Sequence, residues 1–459
     1  MDETSRKLVD FTQALNFSDL SDAAVHGAKA RILDAFGASL AAFRTDSVPI
    51  VRKLAQPVMS DPQSGPTARV FGDLTATTVD MAAFVNSCMV RCLDINDSCV
   101  FASGGHPSDA IPAVLAVAES EGVSGRDFLL AVIISHEVQC QFLQNVPVEH
   151  RGWDQNTTVA LGTALAAGRL MGLDDEQLHN ALSIAVVPNL ALYQTRAGTM
   201  SMWKGMAGPY GARAGVFAAI LARGGVTSCD GVFEGELGLW NQAYGGDRFP
   251  VDPPTSFKDH IFAIQETTIK TCPIRTGIHI PVYAAQELRK KIDVNEIVSL
   301  KAELVRKTFA SWVNKPSSIN PRSRDAADHS PHFCIAAAVL DGNITPETFE
   351  KERFNDPDIH DLIGKLTIEL PDEFADEKLE VLNARLTATL KNGETVSASK
   401  RWVPKEEARN TSREKIETKL HTLLERFLPE KTRNELCAKA WDLENLKSVD
   451  ELISLTAMK

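Results

Sequence analysis

No run of apolar residues in this chain approaches the roughly 18 that a helix needs to cross a bilayer, so no transmembrane span is expected. The opening segment, Met1-Asp2-Glu3-Thr4-Ser5-Arg6-Lys7, mixes both signs of charge and has no apolar stretch behind it. Neither a signal peptide nor an Arg-rich transit peptide fits that pattern, which points to a cytoplasmic protein. Positive charge is in deficit, with 48 Lys and Arg against 60 Asp and Glu and a formal net charge of −12 at pH 7. Nucleic acid is thereby disfavoured as a partner, because its phosphates need clustered cations. The eight cysteines are scattered, and their one close cluster, Cys88-x3-Cys92-x6-Cys99, matches neither a common zinc spacing nor a C-x-x-C redox spacing. They read as reduced, buried thiols, with no iron–sulfur cluster expected. Internal repeats and low-complexity linkers are missing too, so no repeat architecture is expected.

What is there fits a globular protein of two or three domains: 459 residues, 44% hydrophobic and 24% charged. From about residue 5 to 225 the pattern is helical. Asp19 to Phe43 repeats small and apolar residues at three- and four-residue spacing, Ser124 caps a run through Phe142, and Asp174-Asp175-Glu176 opens a helix ending near Pro188. Thr157 to Met171 and Ala207 to Arg223 are rich in Ala and Gly, which suits central helices in close approach.

Near 265 the character changes. Lys301 to Val313 and Leu362 to Leu370 read as strands, and Leu382 to Leu390 with Thr395 to Trp402 reads as a hairpin closed by a two-residue Asn392-Gly393 turn. A helix from Pro331 to about Leu340 lies between them, and after Pro404 the chain is helical again, most clearly over Glu406 to Phe427. The expected fold is mainly α with an α+β second domain: a helical domain over 1–267, an inserted α+β lid over 268–403, and helices over 404–459 that return to the first.

Four basic or His-bearing segments stand just ahead of Pro-started or Ala-rich helical stretches. They are Gly105-His106-Pro107, Trp203-Lys204-Gly205, Lys270-Thr271-Cys272-Pro273 and Asp328-His329-Ser330-Pro331. Helix N-termini favour anions, so several such ends suggest a pocket for a substrate with several carboxylates. Focused cations can create that pocket inside an acidic body, because charges beyond about 8–10 Å are screened. His106, with Asp109 as N-cap, can titrate near neutrality at a cleft. Upstream, Asp94, Asn96, Asp97 and Ser98 read either as a solvated loop or as a cation site, although the Gly and distal Glu of a calcium loop are absent. Lys204, framed by Met202, Trp203 and Met206, is a clamp or a snorkelling side chain, and Lys270 with Arg275 is a second clamp. His279, His332 and Arg196 are weaker candidates.

These residues resemble the MmgE/PrpD family. The similarity rests on Leu93-Asp94-x-Asn96-Asp97-Ser98 with Gly105-His106-Pro107-Ser108-Asp109, then Ser201-Met202-Trp203-Lys204, Lys270-x-x-Pro273 and Ala327-Asp328-His329-Ser330, in the family's order over nearly the whole chain. The resemblance implies a homodimer with its site between the two domains and no metal or organic cofactor. It also implies action on small di- or tricarboxylates, as in 2-methylcitrate dehydratase, cis-aconitate decarboxylase and iminodisuccinate epimerase. Carried over, the functional positions are Asp94, Ser98, His106, Lys204, Lys270, Arg275 and His329. Decarboxylases and epimerases usually carry a His after Gly-Trp or Gly-Phe, where Gly152-Trp153 is followed by Asp154, here taken as substrate-binding. That and the Ala327-to-Ser330 wording favour the dehydratase branch, whereas Phe333 stands where many members have Tyr. The alternatives are the decarboxylase or epimerase reaction, or a carboxylate-binding or scaffold protein that has lost turnover.

The expected chemistry is cofactor-independent dehydration of 2-methylcitrate or citrate. His106 serves as acid or base and is oriented by Asp94, with Lys204, Lys270 and Arg275 as carboxylate clamps. Ser98 holds the substrate hydroxyl, and His329 protonates it or positions a carboxylate.

Overall fold

Small side chains decide which helices meet at the centre. In the computed structural model, which describes residues 1–58, 65–100, 102–198, 200–310, 313–374 and 381–458 (100 and 307 by backbone alone), the Asn156–Leu170 and Ala207–Arg223 helices pack against each other. A Cβ added to Gly215 would sit 2.6 Å from the Ala160 carbonyl oxygen. Glycine is therefore required there, since one methyl in so tight a contact costs about 1–3 kcal/mol. The Gly125–Asn145 helix, started by Ser124 accepting from the Asp127 amide, flanks this pair, as does the Asp175–Val186 helix with its Asp174 capping box.

One hydrophobic core draws on residues between Leu8 and Ile269 and resumes with Ile416 to Ile453. A second is built from Cys272 to Trp402. The tail helix Arg413–Leu424 lies along Asp22–Ala41, and Lys419 there donates to Asp34 and, at 2.7 Å, to the Ile95 carbonyl. Among the described residues no helix is long and apolar enough to cross a membrane.

The second core is covered by a four-stranded sheet in the order Leu366–Glu369, Ile297–Leu304, Leu382–Leu390, Thr395–Trp402. The first pair is parallel and the others antiparallel. The His279–Arg289 and Pro331–Asp341 helices pack together beside it, so a large helical body carries a smaller α+β part.

Four expectations change. The strand expected over 301–313 is Ile297–Leu304, because its last partner is Ala384, opposite Leu304; the chain then turns into the Arg306–Phe309 helix, and residues 311–312 lie outside those described. The stretch 362–370 splits, since the Pro357–Gly364 helix uses its first residues and only Leu366–Glu369 pairs. The hairpin strands are as expected but their loop is longer. Only Gly393 has positive φ (85°), its amide bonds to the Leu390 carbonyl, and Leu390 pairs with Glu394. A two-residue type I′ turn needs positive φ at both centres, so this is a three-residue loop closed by a left-handed glycine. The tail is likewise broken: Pro404–Arg409 ends before Ser412, which caps Arg413–Leu424.

Candidate active site

Asp94 follows the Val79–Cys92 helix in a left-handed conformation (φ 52°), which Asp tolerates better than most residues because its short polar side chain can bond locally. Behind it, Asp97–Val100 forms the middle of a three-stranded ribbon, with Gly104–Gly105 on one side and Thr268–Ile269 on the other. That pairing sets Asp97 opposite Ile269 and Cys99 opposite Gly105. His106 and Lys270, each next after a ribbon strand, are thus carried to Asp94 from places 164 residues apart (270 − 106).

The ammonium of Lys270 donates to the Asp94 carboxylate and, at 3.1 Å, to its carbonyl. Arg91 reaches the same carboxylate at 2.7 Å. Lys204 comes within 3.4 Å of it and lies 2.6 Å from Asp328 and 3.3 Å from His329 Nδ1. Burial by itself would raise the Asp94 carboxyl, but Arg91, Lys270 and Lys204 hold it well below the usual carboxylate range.

A cavity of about 180 Å³ opens on this cluster, smaller than the pockets that take drug-sized ligands. Asp94, Ser98, His106, Lys270, Arg275 and His329 line it. Two expected residues do not. Lys204 is buried and outside the cavity lining, with its ammonium paired to Asp328 and Asp94, so it is not a snorkelling side chain. Asp154 is fully buried and pairs with Arg196 (Nε to Oδ2, 2.7 Å), so it reaches the cavity through that guanidinium and not by its own surface. His106 precedes the Pro107–Ala110 turn and Lys204 lies within the Met202–Gly205 turn, so neither presents the start of a long helix to a ligand. Nor is Asp109 an N-cap: it is buried, accepts from Asn96 at 3.0 Å, and is pushed up to about 7 by burial.

His106 is oriented differently from expectation. Its Nδ1 is 2.7 Å from the Asp97 carbonyl oxygen, which can only accept, so Nδ1 carries the proton. Nε2 is then the basic nitrogen, 3.9 Å from Asp94 and too far to bond it. Burial, then Arg91 and Lys270, push the imidazole well below its ordinary value, which keeps it neutral at pH 7. Burial brings Lys270 down to about 8 despite Asp94. His329 falls to about 4 through burial and Lys204, while Nδ1 sits 2.6 Å from Asp328. Ser98 Oγ lies 2.7 Å from Thr276 Oγ1.

Donor atoms of Asp94, Asp328 and His329 lie within 4.8 Å of one another, the one such cluster found among the described residues. The Lys204 ammonium touches all three, so the positive charge a metal would bring is already supplied there by protein. The described cysteines are free, and no three of them converge.

The sequence reading missed Arg91, Glu149, Gln155 and Tyr193, and gave Arg196 little weight, yet all five line the cavity. Arg91 left a signal, three residues before Asp94 on a helix end. Tyr193 left none and Arg196 only a weak one, because their turn is delivered by tertiary pairing of Tyr193 N with the Gly152 carbonyl and Asp154 N with the Ala191 carbonyl, each 2.8 Å. Phe333 is in the second core against Phe349 and Phe354, and does not line the cavity.

Comparison with known proteins agrees with this architecture. The MmgE/PrpD N-terminal domain matches residues 6–252 and the MmgE/PrpD C-terminal domain matches residues 273–443. A cis-aconitate decarboxylase of Homo sapiens is 27% identical over 96% of this chain and 92% of its own. A 2-methylcitrate dehydratase of Cupriavidus necator is 26% identical over 93% of this chain and 92% of its own, and one from Escherichia coli (strain K12) is 26% identical over 79% and 77%.

Proposed function

Because this chain belongs to the MmgE/PrpD family, we propose that it is a cofactor-independent lyase that dehydrates a small tricarboxylate, 2-methylcitrate or citrate, in the cytoplasm. The observation that carries this reading is a neutral imidazole, its Nδ1–H given to Asp97 and its basic Nε2 at the wall, beside the Lys270 and Arg275 cations of one small cavity. In the proposed reaction, Nε2 of His106 takes the proton from the carbon next to a carboxylate. The electron pair passes into that carboxylate and then expels the hydroxyl from the neighbouring carbon, which leaves as water with a proton from Lys270. Lys270 suits this step better than His329, since a group near 8 is protonated at pH 7 and one near 4 is not. The extra negative charge on the carboxylate meets Lys270 and Arg275, and fixed donors of this kind each lower the barrier by about 3–4 kcal/mol.

Decarboxylation of cis-aconitate is the second reading, favoured by relatives of that name from mouse and human that align over 96% of this chain. Incubating the purified protein with 2-methylcitrate, citrate and cis-aconitate separates the two. Growth of the unsaturated-acid absorbance from either hydroxy acid is the expected result. Release of carbon dioxide and itaconate from cis-aconitate alone transfers the assignment to decarboxylation, and no turnover of any of the three sinks the lyase reading.

The proposal includes a homodimer. Supporting it is an apolar face on which Leu192, Trp203 and Tyr210 border one shallow cleft, with Phe217 two turns on from Tyr210 and half exposed. Sedimentation should give twice the 50.0 kDa chain mass; a 50.0 kDa species overturns this part.

A further inference from the structure

We infer that Arg196, held in place by Asp154, is the specificity residue of this cavity, binding the third carboxylate of a tricarboxylate while Lys270 and Arg275 meet the rest of its charge. The inference rests on the polycarboxylate reading and goes beyond it by naming what selects three carboxylates over two.

The geometry is that of a fixed fork. Arg196 gives one edge of its guanidinium to Asp154, Nε to Oδ2 at 2.7 Å and Nη2 to Oδ1 at 3.4 Å. Asp154 has no exposed surface and is itself anchored by donating its amide to the Ala191 carbonyl at 2.8 Å. The remaining nitrogen, Nη1, donates no hydrogen bond to a described residue, and Arg196 is a wall of the cavity with its side chain 11% exposed. Burial opposes the charge, but Asp154 and then Glu149 more than restore it, so the guanidinium stays cationic. The positive groups nearer Asp94 are differently committed: Arg91 and Lys270 both bond its carboxylate. Arginine held on one side by a carboxylate presents its other nitrogens with little rotamer freedom left to lose, which favours recognition of a second carboxylate. Glu149, also on the wall, has its carboxyl raised by burial, which disfavours a full negative charge opposing an anionic ligand there.

The test uses two inert probes with no hydroxyl to eliminate: propane-1,2,3-tricarboxylate, and glutarate, which lacks only the central carboxylate. Calorimetric titration into the full-length protein should give an affinity about 10- to 100-fold higher for the tricarboxylate, the usual range for one charge-assisted contact. The double variant Arg196→Gln/Asp154→Asn, which avoids leaving a buried carboxylate without its partner, should bind both probes equally, at the glutarate affinity. Asp154→Asn alone, which frees the fork while keeping its charge, should reduce the ratio without abolishing it. A double variant that keeps the tricarboxylate preference overturns the inference. So does a wild-type protein that binds both probes equally, although the polycarboxylate site then survives. A wild-type protein that binds neither overturns both.

Discussion

Replacing His106 by alanine should lower kcat/KM for the proposed tricarboxylate substrate by about 10²- to 10⁴-fold, the usual contribution of a positioned general base. Folding should be little affected, by about 1 kcal/mol, because the side chain contributes one hydrogen bond, from Nδ1 to Asp97, and a partly open wall. The pH profile adds a second check. The free imidazole sits well below 6.5, so loss of activity on acidification should be delayed to below that pH. Lys270, at about 8, must remain protonated to donate, so kcat/KM should fall as pH rises through about 8. Near-normal turnover in the alanine variant, or a profile flat from pH 7 to 10, removes His106 and Lys270 from these roles. Lys204→Ala is a poorer probe, because it strips two buried carboxylates of a shared cation and confounds activity with stability.

Asp94→Asn should produce the largest loss of stability, about 3–5 kcal/mol in chemical denaturation, read as a lower midpoint at unchanged slope. Asparagine keeps the shape and accepts the left-handed backbone at φ 52°, so the change tests charge and not backbone strain. It leaves Arg91, Lys270 and Lys204 buried around a neutral amide. The sign with pH follows from the direction of the shift. A carboxyl held well below its ordinary 3.8 stabilises the fold above that value, and the contribution fades as pH falls towards the folded-state value. The gap between wild type and variant should therefore be widest near neutrality and shrink below about pH 4. An unchanged midpoint at pH 7 would show that the three cations are not balanced through Asp94.

The fold class was legible because its signals are local. Ala- and Gly-rich helical periods, the caps at Ser124, Asp174 and Ser330, and the alternation of the 382–402 hairpin each depend on neighbours a few residues away. The ends of strands were not legible, since Ile297–Leu304 stops where its partner stops and nothing in Val305 announces it. In the site, the motif around Asp94 and His106, with Lys270 and His329, supplied residues that do meet at one cavity.

What the sequence by itself determined, then, is the helical body with its α+β companion and a set of acidic, basic and imidazole groups suited to a polycarboxylate. Tertiary structure alone decided which of them face the cavity. Three buried cations crowd Asp94, Lys204 lies outside the cavity lining, Asp154 acts through Arg196, and His106 takes its orientation from the Asp97 carbonyl. The physical reason is that charge, burial and proton position are set by the packing around each group, whether its partner is three residues away, as Arg91 is from Asp94, or 110, as Lys204 is (204 − 94 = 110), and no local pattern encodes which of two ionisable groups is nearer to water.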